Sequence, residues 1–200
     1  MDLTALRLKL DEAITYGGEK EALKLAKQGL KEAEKKGLGG EVAYFEGQLQ
    51  MLENNFTSAI EHFDAAIKYN PSDGAAYNDR ALCMVELGII DQALDYFDQG
   101  IAAEPDYANI YHNKGWLLNN IGRHSEAIRY FKKALSLEPD RAVTYDNLAD
   151  AFFNLSDYSG ALAAYRKVLS LLKPGRCPAI RKQIQAQIKL ISTQLKLKRF

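Results

Sequence analysis

The sequence predicts an all-helical chain of serial antiparallel helix hairpins, and three observations predict it. One interval runs through the chain: Pro71, Pro105 and Pro139 stand 34 residues apart, as do Ala59, Ala93, Ala127 and Ala161, and Phe63, Phe97, Phe131 and Tyr165. Self-similarity at one period means one supersecondary unit repeated, whatever the local propensities. Glycine and proline punctuate each unit, with Gly88 and Gly122 at its middle and the prolines at its end. At both ends of the chain, in 2–36 and 178–199, apolar residues step by three and four, the spacing of one helix face.

Taken in order, residues 1–36 read as a degenerate first hairpin. Leu3, Leu6, Leu10, Ala13 and Ile14 form one stripe, Gly17-Gly18 interrupts it, and Ala22, Leu23, Leu25, Ala26, Leu30 and Ala33 form a second. The run Lys35 to Gly40 adds three residues to the period, which predicts a different angle to the next hairpin; a terminal unit is atypical because one face has no neighbour. Four regular units follow over 40–175, at 40–73, 74–107, 108–141 and 142–175. In 108–141 the spacing predicts helices over 109–121 and 124–137, with Gly122 supplying a tight turn and Pro139 stopping the second helix. Asn54 and Ser156 take the glycine's place in two units. Gly115 and Ala127 lack bulk, so paired helices approach closely there, while Tyr111, Tyr130 and Phe131 fill the wider gaps. Residues 178–199 read as a capping helix, with Pro178 in its first turn and a stripe of Ile180, Ile184, Ile188, Ile191 and Leu195.

Composition is that of a soluble globular protein, 47% hydrophobic and 26% charged. Asp2, Arg7, Lys9, Asp11 and Glu12 break any secretory signal, and no apolar run reaches membrane-spanning length, so the expectation is cytoplasmic. Cys83 and Cys177 lack metal or redox spacing and read as packing thiols. The neutral total hides opposed regions: residues 40–172 hold ten basic and nineteen acidic residues, whereas 173–200 hold eight basic and none acidic. The basic terminal helix reads as a solubilising cap, as a helix that pairs with another copy, or as an amphipathic segment for an anionic membrane.

Four columns carry a family resemblance. They are an opener at Tyr77, Tyr111 and Tyr145; a small residue at Gly47, Ala81, Gly115 and Ala149; the alanine and aromatic series above; and the proline. With the 34-residue period, this pattern resembles the tetratricopeptide repeat family. Ala43 replaces the first opener, Gly100 and Val168 stand where Ala66 and Ala134 recur, and Pro174 falls one residue late. The resemblance implies a right-handed superhelical solenoid of about five such hairpins, with first helices lining a concave groove that binds another protein.

Positions one, two, five and eight or nine after each opener keep to one side of a first helix. In the first regular unit they are Tyr44, Gln48, Met51 and Leu52, and in the second Asn78, Asp79, Leu82 and Val85. The third supplies His112, Asn113, Trp116, Asn119 and Asn120; the fourth supplies Asp146, Asn147, Asp150, Phe153 and Asn154. Asn113 and Asn147, with Asp79 one unit earlier, form a row that either grips the amides of an extended peptide or hydrogen-bonds the neighbouring helix. Trp116, the only tryptophan, reads as a binding anchor or as an inter-repeat packing residue. The basic clamp that chaperone-binding relatives use for a carboxylate is missing: the matching places hold Asn78, Asp79, Leu82, Asn109 and Asn113. Asp79, Asp146 and Asp150 favour a neutral or basic segment, and nucleic acid is disfavoured because phosphate needs clustered positive charge.

Chemistry is sparse. His62, His112 and His124 are separated along the chain, and no HExxH, CxxC, GxxxxGK or GxSxG string occurs. The sequence therefore predicts no catalytic, metal or cofactor site. It predicts an interaction module that binds a peptide or helix of a partner, or else a scaffold that self-assembles through its terminal helix or groove.

Overall fold

The computed structural model describes residues 2–16, 18–172 and 178–197, which contain eleven α-helices and no strand. The chain divides into two compact units, Met1–Pro105 and Asp106–Phe200. The first holds α1 (Leu3–Thr15), α2 (Glu19–Lys36), α3 (Gly39–Leu52), α4 (Phe56–Tyr69), α5 (Gly74–Glu86) and α6 (Ile90–Ala103). The second holds α7 (Ala108–Asn120), α8 (His124–Leu137), α9 (Ala142–Asn154), α10 (Tyr158–Leu171) and α11 (Pro178–Leu197). Within each unit every helix packs on the next, and the pairs α1/α2, α3/α4, α5/α6, α7/α8 and α9/α10 are antiparallel hairpins.

The turn inside each regular hairpin is the same local structure. Asn54, Gly88, Gly122 and Ser156 have φ of 61°, 76°, 82° and 59°. The next residue's amide reaches back five positions in all four: Asn55 to Gln50, Ile89 to Met84, Arg123 to Leu118 and Asp157 to Phe152, at 2.8–2.9 Å. A left-handed residue just past the helix end lets this bond satisfy a carbonyl left without a helical partner. Glycine adopts it without strain, whereas serine meets its own Cβ.

The repeated columns are the core. Ala59, Ala93, Ala127 and Ala161 are fully buried, as are Phe63, Phe97 and Phe131, with Tyr165 at 3% exposure. Each buried ring contributes about 1.5–3 kcal/mol of transfer free energy. The small column exists because these rings press on it: a Cβ on Gly47 would lie 2.7 Å from Phe63, and one on Gly115 would lie 2.9 Å from Phe131. In the first hairpin Leu3, Leu6 and Leu10 are buried, and Gly29 admits the ring of Phe45. Ile14, expected on the α1 stripe, is exposed.

At the other end α11 packs on α10 through Ile184 and Ile191, and Arg181 donates to the Leu172 carbonyl at 2.7 Å. Ile180, placed on that stripe by its spacing, is 45% exposed. Cys83 is buried and unpaired, and burial, then Asp79, pushes its thiol up to about 12. Pro174 and Cys177 lie outside the described residues. No described helix is long and apolar enough to cross a membrane.

Candidate functional site

In the first unit, the side chains aligned with the expected groove are closed over. Tyr44 and Gln48 on α3 are fully buried, and Asn78 and Asp79 on α5 are 2% and 6% exposed. The Asp79 carboxylate is the hub: it accepts from the Tyr44 hydroxyl at 3.1 Å, from the Asn78 amide at 2.8 Å and from the Gln48 amide. Burial first, then repulsion from Asp11, raises its carboxyl to about 7. The expectation that these four residues line an open surface is therefore corrected. Their polar atoms face one another across α3 and α5, and Asp79 is no free rung for a peptide amide.

Arg7 completes the closure, and the sequence reading missed its part. From α1 it lies 3.5 Å from the Tyr44 ring centroid, donates to both Asp73 oxygens at 3.0 and 2.8 Å, and reaches Glu41 at 3.1 Å. Asp73 also caps α5 by accepting from the Ala76 amide. A single arginine beside a leucine stripe gives no periodic signal, so spacing could not reveal it. Leu82, one helix turn beyond Asn78, is half-buried, as are Met51, Leu52 and Val85.

The second unit is different. His112 is buried at 7% exposure, which corrects its placement on the open face: its Nδ1 pairs with the Thr144 hydroxyl at 2.9 Å, and burial, with Arg141 second, lowers it to about 3, leaving the ring neutral at physiological pH. Around it the other expected residues remain accessible. Asn113, Trp116 and Asn119 on α7 are half-buried and Asn120 is exposed; on α9, Asp146, Asn147 and Phe153 are half-buried, and Asp150 and Asn154 are exposed.

Two further polar links join these helices. The Asn154 amide donates to the Asn119 side-chain oxygen at 3.3 Å, and the Asn147 amide stands 3.5 Å from His112 Nε2. His124 also meets the Asn119 oxygen, at 2.7 Å. The Asn147 side-chain oxygen, the Asn120 side chain and the Trp116 indole have no hydrogen-bond partner among the described residues. The Asp146 carboxylate is likewise unpaired there; burial, then Asp150 one turn away, pushes it up to about 6. Asp150 accepts from the Tyr165 hydroxyl. Phe153 tilts against Tyr158 with centroids 5.7 Å apart.

This is a surface of amides, one indole and two carboxylates carried on α7 and α9. Among the described residues no three His, Cys, Asp or Glu side chains gather as a metal site requires. The depression of about 370 Å³ at the α3–α4 turn, lined by Gln50, Asn54, Asn55 and Leu87 among others, involves none of these side chains.

Fold and site define a helix-hairpin repeat protein. Tetratricopeptide repeat models match residues 44–108, 108–141 and 141–173, and the chain belongs to the tetratricopeptide repeat family. No curated protein matches in sequence. Among solved structures, TTC0263, a thermophilic TPR protein in Thermus thermophilus, is 19% identical, with a TM-score of 0.73 over 94% of this chain and 99% of that one. MamA 41-end from Desulfovibrio magneticus RS-1 is 21% identical, with a TM-score of 0.59 over 84% and 94%. Another MamA crystal structure is 21% identical, with a TM-score of 0.61 over 81% and 93%. At these identities the likeness is one of fold.

Proposed function

We propose that this chain is a non-enzymatic, cytoplasmic interaction module that binds a neutral or basic segment of a partner protein on the α7/α9 face. Trp116 is the anchor, burying a large ring with few rotors. Asn120, the Asn147 oxygen, the Asn119 amide nitrogen and the Asn154 oxygen, with Asn113 in the same row, offer donors and acceptors to the backbone of an extended peptide or to the polar side of a helix. Asp146, Asp150 and the Phe153 ring set the preference for cationic side chains.

The observation that carries this reading is a half-buried indole without a hydrogen-bond or ring partner among the described residues, on a helix packed against the one that carries the unpaired Asp146 carboxylate. Family membership supports protein binding in general. Self-association through α11 is the second reading: its exposed residues include Lys182, Gln183, Gln185, Lys189 and Gln194, and also the apolar Ile180 and Leu190. The test is a peptide array or pull-down with the Trp116→Ala, Asn113→Ala, Asn147→Ala triple variant. Loss of the captured partners is expected; partners held unchanged would place the interface elsewhere.

A further inference from the structure

The two units carry opposite net charge. Residues 1–105 hold ten basic and nineteen acidic residues and residues 106–200 hold sixteen basic and seven acidic, −9 against +9, so the neutral total is charge-separated. Each unit also has one helix with a side that no described element covers. On α1, Thr4, Leu8, Glu12 and Thr15 step by four, four and three and are all exposed, opposite the buried Leu3, Leu6 and Leu10. Leu8 is 66% exposed, and it stands one unit before Phe45, counting the three residues inserted at Lys35 to Gly40. Phe45 shows what that place does when a helix lies beside it: its ring is fully buried against Gly29 of α2, where an added Cβ would lie 2.2 Å from it. On α11, Ala179, Gln183, Ala186 and Leu190 step by four, three and four and are all exposed, opposite the buried Ile184 and Ile191. Lys182 and Lys189 run along one edge of that strip, one heptad apart. Neither lysine ammonium nor the Glu12 carboxylate has a partner among the described residues.

We infer that α11 of one copy packs parallel on α1 of a second copy, with Leu8 on the small Ala186 and Glu12 beside Lys189. In that register Leu190 enters between Leu8 and Thr15, and the lysine edge falls on the side of α1 that carries Glu12, whereas antiparallel packing would put them on opposite sides. The inference rests on the self-association reading of α11 and names the surface opposite it; it is independent of peptide binding at α7/α9. A second copy fits because only unlike faces join opposite charges. Two α11 helices would set lysines together within units of +9, and two α1 helices would set carboxylates together within units of −9. An anionic surface accounts for the lysines of α11 but not for the exposed Leu8 and Glu12 of α1. The contact is heterologous, so each bound copy still offers one α1 side and one α11 side, and association continues into a ring or an open chain. Exposed ion pairs contribute little individually and are screened by salt, so the pairing is weak and salt-dependent.

The test uses the full chain in sedimentation velocity over a concentration series reaching about 1 mM. The wild-type sedimentation coefficient is expected to rise with concentration at about 20 mM salt and to rise less at about 500 mM. Glu12→Lys alone and Lys189→Glu alone should each weaken association about three- to tenfold, and the two together in one chain should restore it, because the pair re-forms with its signs exchanged. Leu8→Gln should weaken association at both salt concentrations. Circular dichroism equal to wild type shows that these exposed changes leave the helices intact. Wild type that stays monomeric throughout at low salt overturns the inference together with the self-association reading. Association lost on Lys189→Glu but untouched by Glu12→Lys and Leu8→Gln keeps α11 as the contact and overturns its pairing with α1. A double variant that associates no better than the single ones overturns that pairing as well.

Discussion

One position after the opener, the first unit holds Tyr44 and Asn78 at 0% and 2% exposure; the second holds His112, nearly as buried, and Asp146, which is half-open. Two positions after it, Asp79 is buried, whereas Asn113 and Asn147 are half-exposed. The difference follows from what each side chain finds on the next first helix. Tyr44 reaches Asp79 and His112 reaches Asn147, each pair 35 residues apart. In the first unit Arg7 and Gln48 add charge and hydrogen bonds to the cluster, although the Gln48 side-chain oxygen finds no partner among the described residues. In the second, Asp146 occupies the same column of the last regular hairpin and finds no such partner among the described residues. Identical spacing thus makes a structural polar core in one unit and an accessible face in the other.

The largest effect should come from opening the closed side. Arg7→Ala leaves Asp73 buried without its bidentate partner and Tyr44 without its cation, which is expected to cost about 3 kcal/mol in urea denaturation. Peptide binding at α7/α9 should survive in whatever fraction remains folded. Gly115→Leu drives a side chain into Phe131, at an expected cost of about 1–3 kcal/mol by the same measurement.

Asp79 and His112 pull in opposite directions with pH. Asp79 titrates at about 7 in the fold against about 3.9 when unfolded, so its contribution is complete below about pH 4 and is lost as pH rises through 7. His112 titrates at about 3 in the fold against about 6.5 unfolded, so its contribution is complete above about pH 6.5 and is lost as pH falls towards 3. In wild type the two trends offset each other between pH 5 and 7.5, and Asp146, raised to about 6, adds to the Asp79 trend between pH 5 and 6. Asp79→Asn should therefore leave the protein more stable at pH 7.5 than at pH 5 by less than about 1 kcal/mol, and His112→Asn should reverse the sign. Equal slopes in both variants, from denaturant midpoints, would contradict this assignment.

The smallest effect concerns the turns common to both units. Ser156→Gly relieves a left-handed serine and should stabilise by about 0.5–1 kcal/mol, raising the melting temperature slightly. Asn54→Gly should do less, since asparagine tolerates that conformation.

These turns were legible in the sequence because backbone geometry constrains residue type: aligning Asn54 and Ser156 with Gly88 and Gly122 marked the left-handed column. The α7 and α8 limits fall within a residue of the spacing, since the prolines and turns bound them. The face was legible only in part. Helical steps identify which residues share a side, but not whether another element covers that side. Tyr44, Gln48, Asn78, Asp79 and His112 are polar enough to read as exposed, and their burial depends on partners 31 to 35 residues away and on Arg7 from a degenerate hairpin.

Trp116, the only tryptophan, makes the central claim directly measurable. A partner peptide captured by the chain is titrated into wild-type protein while indole emission and acrylamide quenching are followed. If the α7/α9 face holds the peptide, emission shifts to the blue and quenching falls in step with occupancy. Emission and quenching that stay constant while calorimetry records binding would contradict the account.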